Sequence, residues 1–166
     1  MTYRIPTPPG QLLEWYNGRL YVAVGGTIWA SDPMYPGQVH AEKGFKKFAG
    51  RICMMRAVRE TGIYVSDSFN TYLMEGLDLD DFKLVDIADF PAIPGTDARL
   101  DGSKMKEPVA GEVLLWLSKY GVCLAGKQRL FQVLTKDHYW PVSTAPGAAI
   151  IRETNGVAQY LVSQGS

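Results

Sequence analysis

Histidine is the first place to look for chemistry in this chain, because imidazole titrates near neutral pH and is a common metal ligand. There are two, His40 in a Pro/Gly segment and His138 in KDHYWP. Neither stands at metal-ligand spacing from a cysteine or from the other histidine, so no zinc site is expected. Asp137 precedes His138, but adjacency in sequence says nothing about hydrogen-bond reach. Asp78, Asp80 and Asp81 in GLDLDDF offer the oxygens that calcium prefers. They lack the glycine and distal glutamate of a calcium loop, so the reading is a solvated acidic turn. No GxSxG, GxGxxG or Walker-type loop is present, and no serine stands in a recognisable nucleophile context. The expectation is a protein that is not an enzyme, with no catalytic residue, cofactor or metal.

Flat aromatics are the next chemistry-bearing set. Trp29, Tyr35, Trp116, Tyr139 and Trp140 are the residues from which a sugar-stacking platform would be built. Trp29 and Trp116 lie within strand-like runs and read as packing residues, whereas Tyr139 and Trp140, followed by Pro141, lie near a turn and form the candidate exposed pair. Charge is balanced overall, with Lys+Arg and Asp+Glu at 17 each, but it is segregated along the chain. Lys43 to Arg59 holds six basic residues and no acid, and Glu75 to Asp89 holds six acids and one lysine. Such blocks read as solvated loops, or as surfaces that orient a partner. Lys43, Lys46, Lys47, Arg51, Asp78, Asp80, Asp81, Tyr139 and Trp140 are therefore the candidate interface residues.

The elements that must position these groups are strands. Asn17 to Ser31, NGRLYVAVGGTIWAS, is the clearest unit: Leu20, Val22 and Val24 share one face of an extended segment, Tyr21 and Ala23 the other, and Gly25-Gly26 turns the chain back. Leu12 to Tyr16 precedes it as a strand stopped by Asn17-Gly18. After Ser31, DPMYPGQVH reads as a loop and AEKGFKKFAGR as having little regular structure. Ile52 to Val58, Ile63 to Ser66 and Phe69 to Met74 then meander through turns at Arg59–Gly62 and Asp67-Ser68. The acidic segment continues as a short turn and a fourth, outer strand, with a one- or two-turn helix at Asp78 to Lys83 as the alternative. Val113 to Ser118, Val122 to Ala125 and Arg129 to Leu134 repeat this arrangement, and Ala148 to Arg152 pairs with Val157 to Val162 around Asn155-Gly156.

Two stretches interrupt the pattern. Residues 1 to 10, MTYRIPTPPG, hold three prolines and read as an extended arm. Pro91 to Pro108 holds three prolines and two glycines and reads as a surface insertion or mobile connector. Residues 11 to 166 are expected to make one all-β domain with that insertion. At 166 residues, 46% hydrophobic and 20% charged, the chain can bury a proper core and has no disorder signature. Cys53 and Cys123 lie in apolar runs and read as buried free thiols. Net charge points away from nucleic acid, and neither a signal peptide nor a membrane-spanning apolar run is read from the sequence.

Strand, polar turn ending in glycine, second strand and often a third is the shared plan. Gly62, Gly121 and Gly156 mark it at separations of 59 and 35 residues, and removing the supposed insertion brings the first into the low forties. Periods near 40 to 50 with several strands each are what propeller blades show. The fold expectation is thus a propeller-like array of about three to four antiparallel blades, with a β-sandwich or barrel as the alternative.

PPGQLLEWYNGRLYVAVGGTIWASDP resembles a segment shared by β-propeller virion proteins of tailed bacteriophages, which are tail or head-to-tail components. GIYVSDSFNTYLMEGLDLDDF resembles those proteins' following blade, GVCLAGKQRLFQVLTKDHYWPV the next, and GAAIIRETNGVAQYLVSQ their carboxyl-terminal hairpin. The chain is similar to their carboxyl-terminal half. The resemblance implies a structural component of a phage or prophage particle, in the tail or neck, made in the host cytoplasm and carried in the virion. Other virion proteins and further copies of the chain are the implied partners, without a membrane. The rival function is a carbohydrate-binding or glycan-processing propeller that uses the aromatics.

Overall fold

A computed structural model describes residues 3–137 and 143–165 and shows an all-β chain of antiparallel strands. Its helical content among these residues is two short 3₁₀ turns, Gly102–Lys104 and Lys127–Arg129. The first sheet contains β1 (Arg4–Pro6), β2 (Leu12–Tyr16), β3 (Arg19–Val24), β4 (Thr27–Asp32), β5 (Tyr35–His40) and β6 (Phe45–Lys47). Its order is β1-β5-β4-β3-β2, and β6 also pairs with β4. The second sheet is a meander of β7 (Met54–Val58), β8 (Gly62–Ser66), β9 (Thr71–Glu75) and β10 (Lys83–Ala88). The third is a meander of β11 (Ala98–Asp101), β12 (Glu112–Ser118), β13 (Gly121–Ala125) and β14 (Phe131–Val133). The last is a hairpin of β15 (Gly147–Thr154) and β16 (Val157–Gln164).

Side-chain alternation explains how these sheets stack. On β8, Ile63 and Val65 point to the first sheet and join Tyr21, Ile28 and Met55 in one core, while Tyr64 points to the opposite face. Tyr64 meets Leu114, Trp116 and Cys123 of the third sheet in a second core. The second sheet is therefore covered on both faces, which is why β8 is buried at every residue and shows no polar face in its sequence. On β12 the alternation repeats. Leu114 and Trp116 serve the second core, and Val113 and Leu115 join Leu124 in a third, against which Ile151, Ala158 and Tyr160 of the last hairpin pack.

The strands around Asn17-Gly18, Gly25-Gly26, Arg59–Gly62 and Asn155-Gly156 lie where the sequence places them. Asn17 and Gly18, and Asn155 and Gly156, all have positive φ, as a two-residue hairpin turn requires. The acidic segment resolves as a turn followed by outer strand β10, with no helix at Asp78 to Lys83.

Three expectations need correcting. The segment after Ser31 is not loop throughout: it forms β5, which pairs with both β1 and β4, and then β6. Pro36 is accommodated because it falls where the β4–β5 register shifts, so its missing N–H breaks no regular ladder. The proline-rich arm is extended, as read, but it does not stand outside the domain that begins at residue 11, since Arg4–Pro6 joins the first sheet as β1, paired to His40–Gln38. Pro91 to Pro108 is not simply an insertion. It carries β11, with Ala98 and Leu100 buried, and the lead-in to it is pinned by distant hydroxyls. Thr71 donates to the Phe90 carbonyl at 2.9 Å, Ser66 accepts from the Ala92 N–H at 2.8 Å, and Thr96 accepts from the Leu117 N–H at 3.0 Å.

The repeat therefore has a different phase from the one the glycines suggest. Gly121 follows the second strand of its sheet, whereas Gly62 and Gly156 follow the first. The first strands β2, β7, β11 and β15 begin at residues 12, 54, 98 and 147, an even spacing that needs no insertion to be removed.

Candidate functional site

The first strands converge on one buried carboxylate. Glu14 lies on the face of β2 that turns toward the second sheet, beside Leu12 and Tyr16. Its oxygens accept from the Ala57 N–H on β7 and from the Trp15 N–H, both at 3.1 Å. Arg99 of β11 stands 3.5 Å from the same carboxylate and donates to the Ala57 carbonyl at 3.1 Å. Arg56 of β7 is paired to Asp97, just before β11. Three sheets are thus tied by charge-assisted contacts around Glu14, where a buried acid without partners would be costly. The chemistry of this cluster is that of a clamp, since its groups are engaged with one another.

Two hollows flank the clamp. At the leading ends of the first strands lies a cavity of about 500 Å³, walled by Leu12, Ile52, Ala92 and Ile93 with Cys53 in its lining. Arg51 and Lys119 contribute cations, and among the described residues no carboxylate lines it. Such a space suits an apolar group carrying a negative charge. The Cys53 thiol donates toward the Ser66 and Ala92 carbonyls, and burial raises its pKa, so it is held protonated. At the opposite ends of the strands, a groove of about 480 Å³ is lined by Trp15, Leu77, Arg59, Glu60, Arg99 and Glu112. It mixes an exposed indole with two guanidinium groups and two carboxylates.

Among the described residues, no three His, Cys, Asp or Glu side chains gather so as to hold a metal ion. No model of a known protein family matches the chain, and no curated protein matches it either.

The candidate interface residues separate in space. Lys43 is exposed after β5, Lys46 and Lys47 are exposed on β6, and Arg51 stands at the 500 Å³ cavity. Asp78 is engaged within the chain, 2.7 Å from Arg19, and also accepts from the Leu79 N–H. Asp80 and Asp81 are exposed on the turn before β10. Lys46 and Lys47 line a small hollow with the apolar Phe82 and Leu84 of the segment that carries the acidic block. Tyr139 and Trp140, with His138, lie outside the described residues. Of the other aromatics, Trp116 is fully buried, Trp29 is half-buried against Phe45, and Tyr35 is exposed.

Glu14, Arg99 and Trp15 were not among the sequence candidates. The available signal was modest: in LLEWY an acid interrupts an apolar run at an inward strand position, which demands a partner. Nothing local to Arg99 says that its partner lies on β2.

Proposed function

We propose that this chain is a structural component of a tailed-phage or prophage particle, in the tail or neck, that works through protein–protein interfaces and transforms no substrate. The observation that carries the reading is the serial stack of antiparallel sheets whose first strands recur at residues 12, 54, 98 and 147. Four-stranded meanders at that period support a propeller-like array of three to four blades. The array leaves apolar side chains exposed on both end sheets, Leu13 and Trp15 on the first and Ile150 and Leu161 on the last. The exposed charges of β6 and of the Asp80-Asp81 turn would orient neighbours. Quantitative mass spectrometry of purified particles tests the role: the chain should be present at a fixed copy number, and particles made without it should lose tails or infectivity. Absence from intact particles would remove the proposal.

A second reading is favoured by one observation. Trp15 stands exposed in a groove with arginines and glutamates, the combination that stacks a sugar ring and bonds its hydroxyls. A glycan array and a hydrolysis assay on host surface polysaccharide, each repeated with Trp15→Ala, separate this carbohydrate-binding role from the structural one.

A further inference from the structure

The sixteen strands among the described residues divide unevenly. Sheets β2-β3-β4-β6, β7 to β10 and β11 to β14 have four strands each, leaving the β15–β16 pair at one end and the β1–β5 pair beside β4 at the other. The edge of β16 is unusual. Its eight residues, VAQYLVSQ, hold no charge and no proline, its register with β15 is unbroken, and among the described residues it pairs with β15 alone. Other outer strands carry the usual protection: β10 has Lys83, Asp86 and a register shift, β6 is three residues long with two lysines, and β14 is three residues long. Because Thr154 faces Val157 across a two-residue turn, alternate residues from Val157 bond to β15. Ala158, Tyr160 and Val162 therefore direct their amides to the open side.

The exposed faces match this edge. Ile150 is opposed to Leu161 on the outward face of the hairpin, and they are 63% and 40% exposed. On the outward face of β2, Leu13 and Trp15 are 64% and 49% exposed. The array also turns tightly. Glu14 of the first sheet reaches Arg99 of the third, 3.5 Å away, past the sheet between them. Leu12 at the start of β2 and Thr144, three residues before β15, line the same cavity. The opposite groove is lined by the first three sheets and their connections and by no residue of β15 or β16. The two ends of the array thus meet at the cavity and diverge from it.

We propose that the chain closes on itself as a ring of four sheets. In the closed form the outward face of β15–β16 packs on Leu13 and Trp15, and the β16 edge pairs with β1, so that β15, β16, β1 and β5 make the fourth sheet. Uncharged β16 meets β1 without like-charge repulsion, and both exposed apolar pairs leave water together. Tight turning is what favours closure within one chain, since a ring of four blades brings alternate sheets into side-chain reach across its centre. The inference rests on the propeller-like reading above and not on the virion role.

Hydrogen exchange on the unmodified full chain, as a monomer by sedimentation, is the first test. The amides of Ala158, Tyr160 and Val162 should exchange at least a hundredfold slower than exposed loop amides, and Val162→Pro, which removes an open-side donor and spares the β15 ladder, should speed exchange at Tyr160. Fast exchange of all three amides in the unmodified chain would overturn the proposal. A Leu13→Cys/Ile150→Cys variant treated with a short bismaleimide is the second test. An internally linked monomer, at a yield independent of concentration, is expected. A product found only at the mass of a dimer would overturn closure in one chain. Neither result bears on whether the chain is found in particles, so the two proposals fail separately.

Discussion

Glu14 is the residue on which the arrangement depends most. Replacing it by alanine leaves the Ala57 N–H without its acceptor and the Arg99 guanidinium without its carboxylate, although Arg99 keeps the Ala57 carbonyl. Arg99 is a third exposed and keeps some hydration, so the expected cost is about 2 to 3 kcal/mol. Urea unfolding checks this, and an unchanged midpoint would show that the three first strands do not depend on the clamp. Gly102 and Gly156 make a second comparison. Gly156 has φ 76° with open space around it, so Gly156→Val costs about 1 to 3 kcal/mol of backbone strain. A side chain at Gly102 would run into the Val109 and Gly111 carbonyls, both backbone. Gly102→Val is therefore expected to lower the melting temperature at least as much as Gly156→Val, the reverse of what a mobile connector implies. Cys123 supplies the pH dependence. Burial raises its thiol pKa from 9.0 to about 11, so between those values the unfolded chain releases a proton that the folded chain retains. The folded state then binds more protons, and stability falls as pH rises through that window. Urea midpoints should drop between pH 9 and pH 11, and less so in Cys123→Ala.

At the level of elements, the hairpins built on Asn-Gly and on Gly62 follow from local chemistry, whereas β5 and β11 do not. Pro36-Gly37 and Pro91 to Gly95 are loop signals, and the strands beside them survive because long-range partners receive their backbone groups. The Thr7 N–H bonds to the Gly37 carbonyl at 3.0 Å, and the Ile93 N–H bonds to the Leu117 carbonyl at 2.8 Å. If β11 is a strand, Leu100→Ala removes a side chain packed on Val113, Leu115 and Leu124 and costs about 2 to 4 kcal/mol. Lys106→Ala, at an exposed position of the following connection, should change stability by less than about 0.5 kcal/mol. Similar small effects from both would return the stretch to the connector reading.

For the whole molecule, the shared cores couple neighbouring sheets, and the second sheet contributes to two of them. Removing residues 1 to 10 takes away β1, its pairing to β5 and the Arg4–Asp32 contact. The shortened chain should melt at a lower temperature, and hydrogen exchange at Val39 and His40 should accelerate. An identical melting temperature would mean that the β1–β5 pairing adds nothing to the stability of the chain. Within the acidic block, Asp78 and Glu75 are paired to Arg19 and Arg129, which lie outside the basic block, while Lys46 and Lys47 share a hollow with apolar Phe82 and Leu84. Part of the field of the acidic block is therefore cancelled within the chain.

What the sequence determined by itself is the all-β character, most hairpin positions and the burial of Trp116 and Cys123. These are set by period-two alternation, turn residues and side-chain volume, all of which act within a few residues. The phase of the repeat, the strands next to prolines, and the Glu14–Arg99–Ala57 clamp were decided only by tertiary structure. Each depends on hydrogen bonds or charges between residues roughly 20 to 85 positions apart, and no local pattern records which distant carbonyl or guanidinium will meet a buried group.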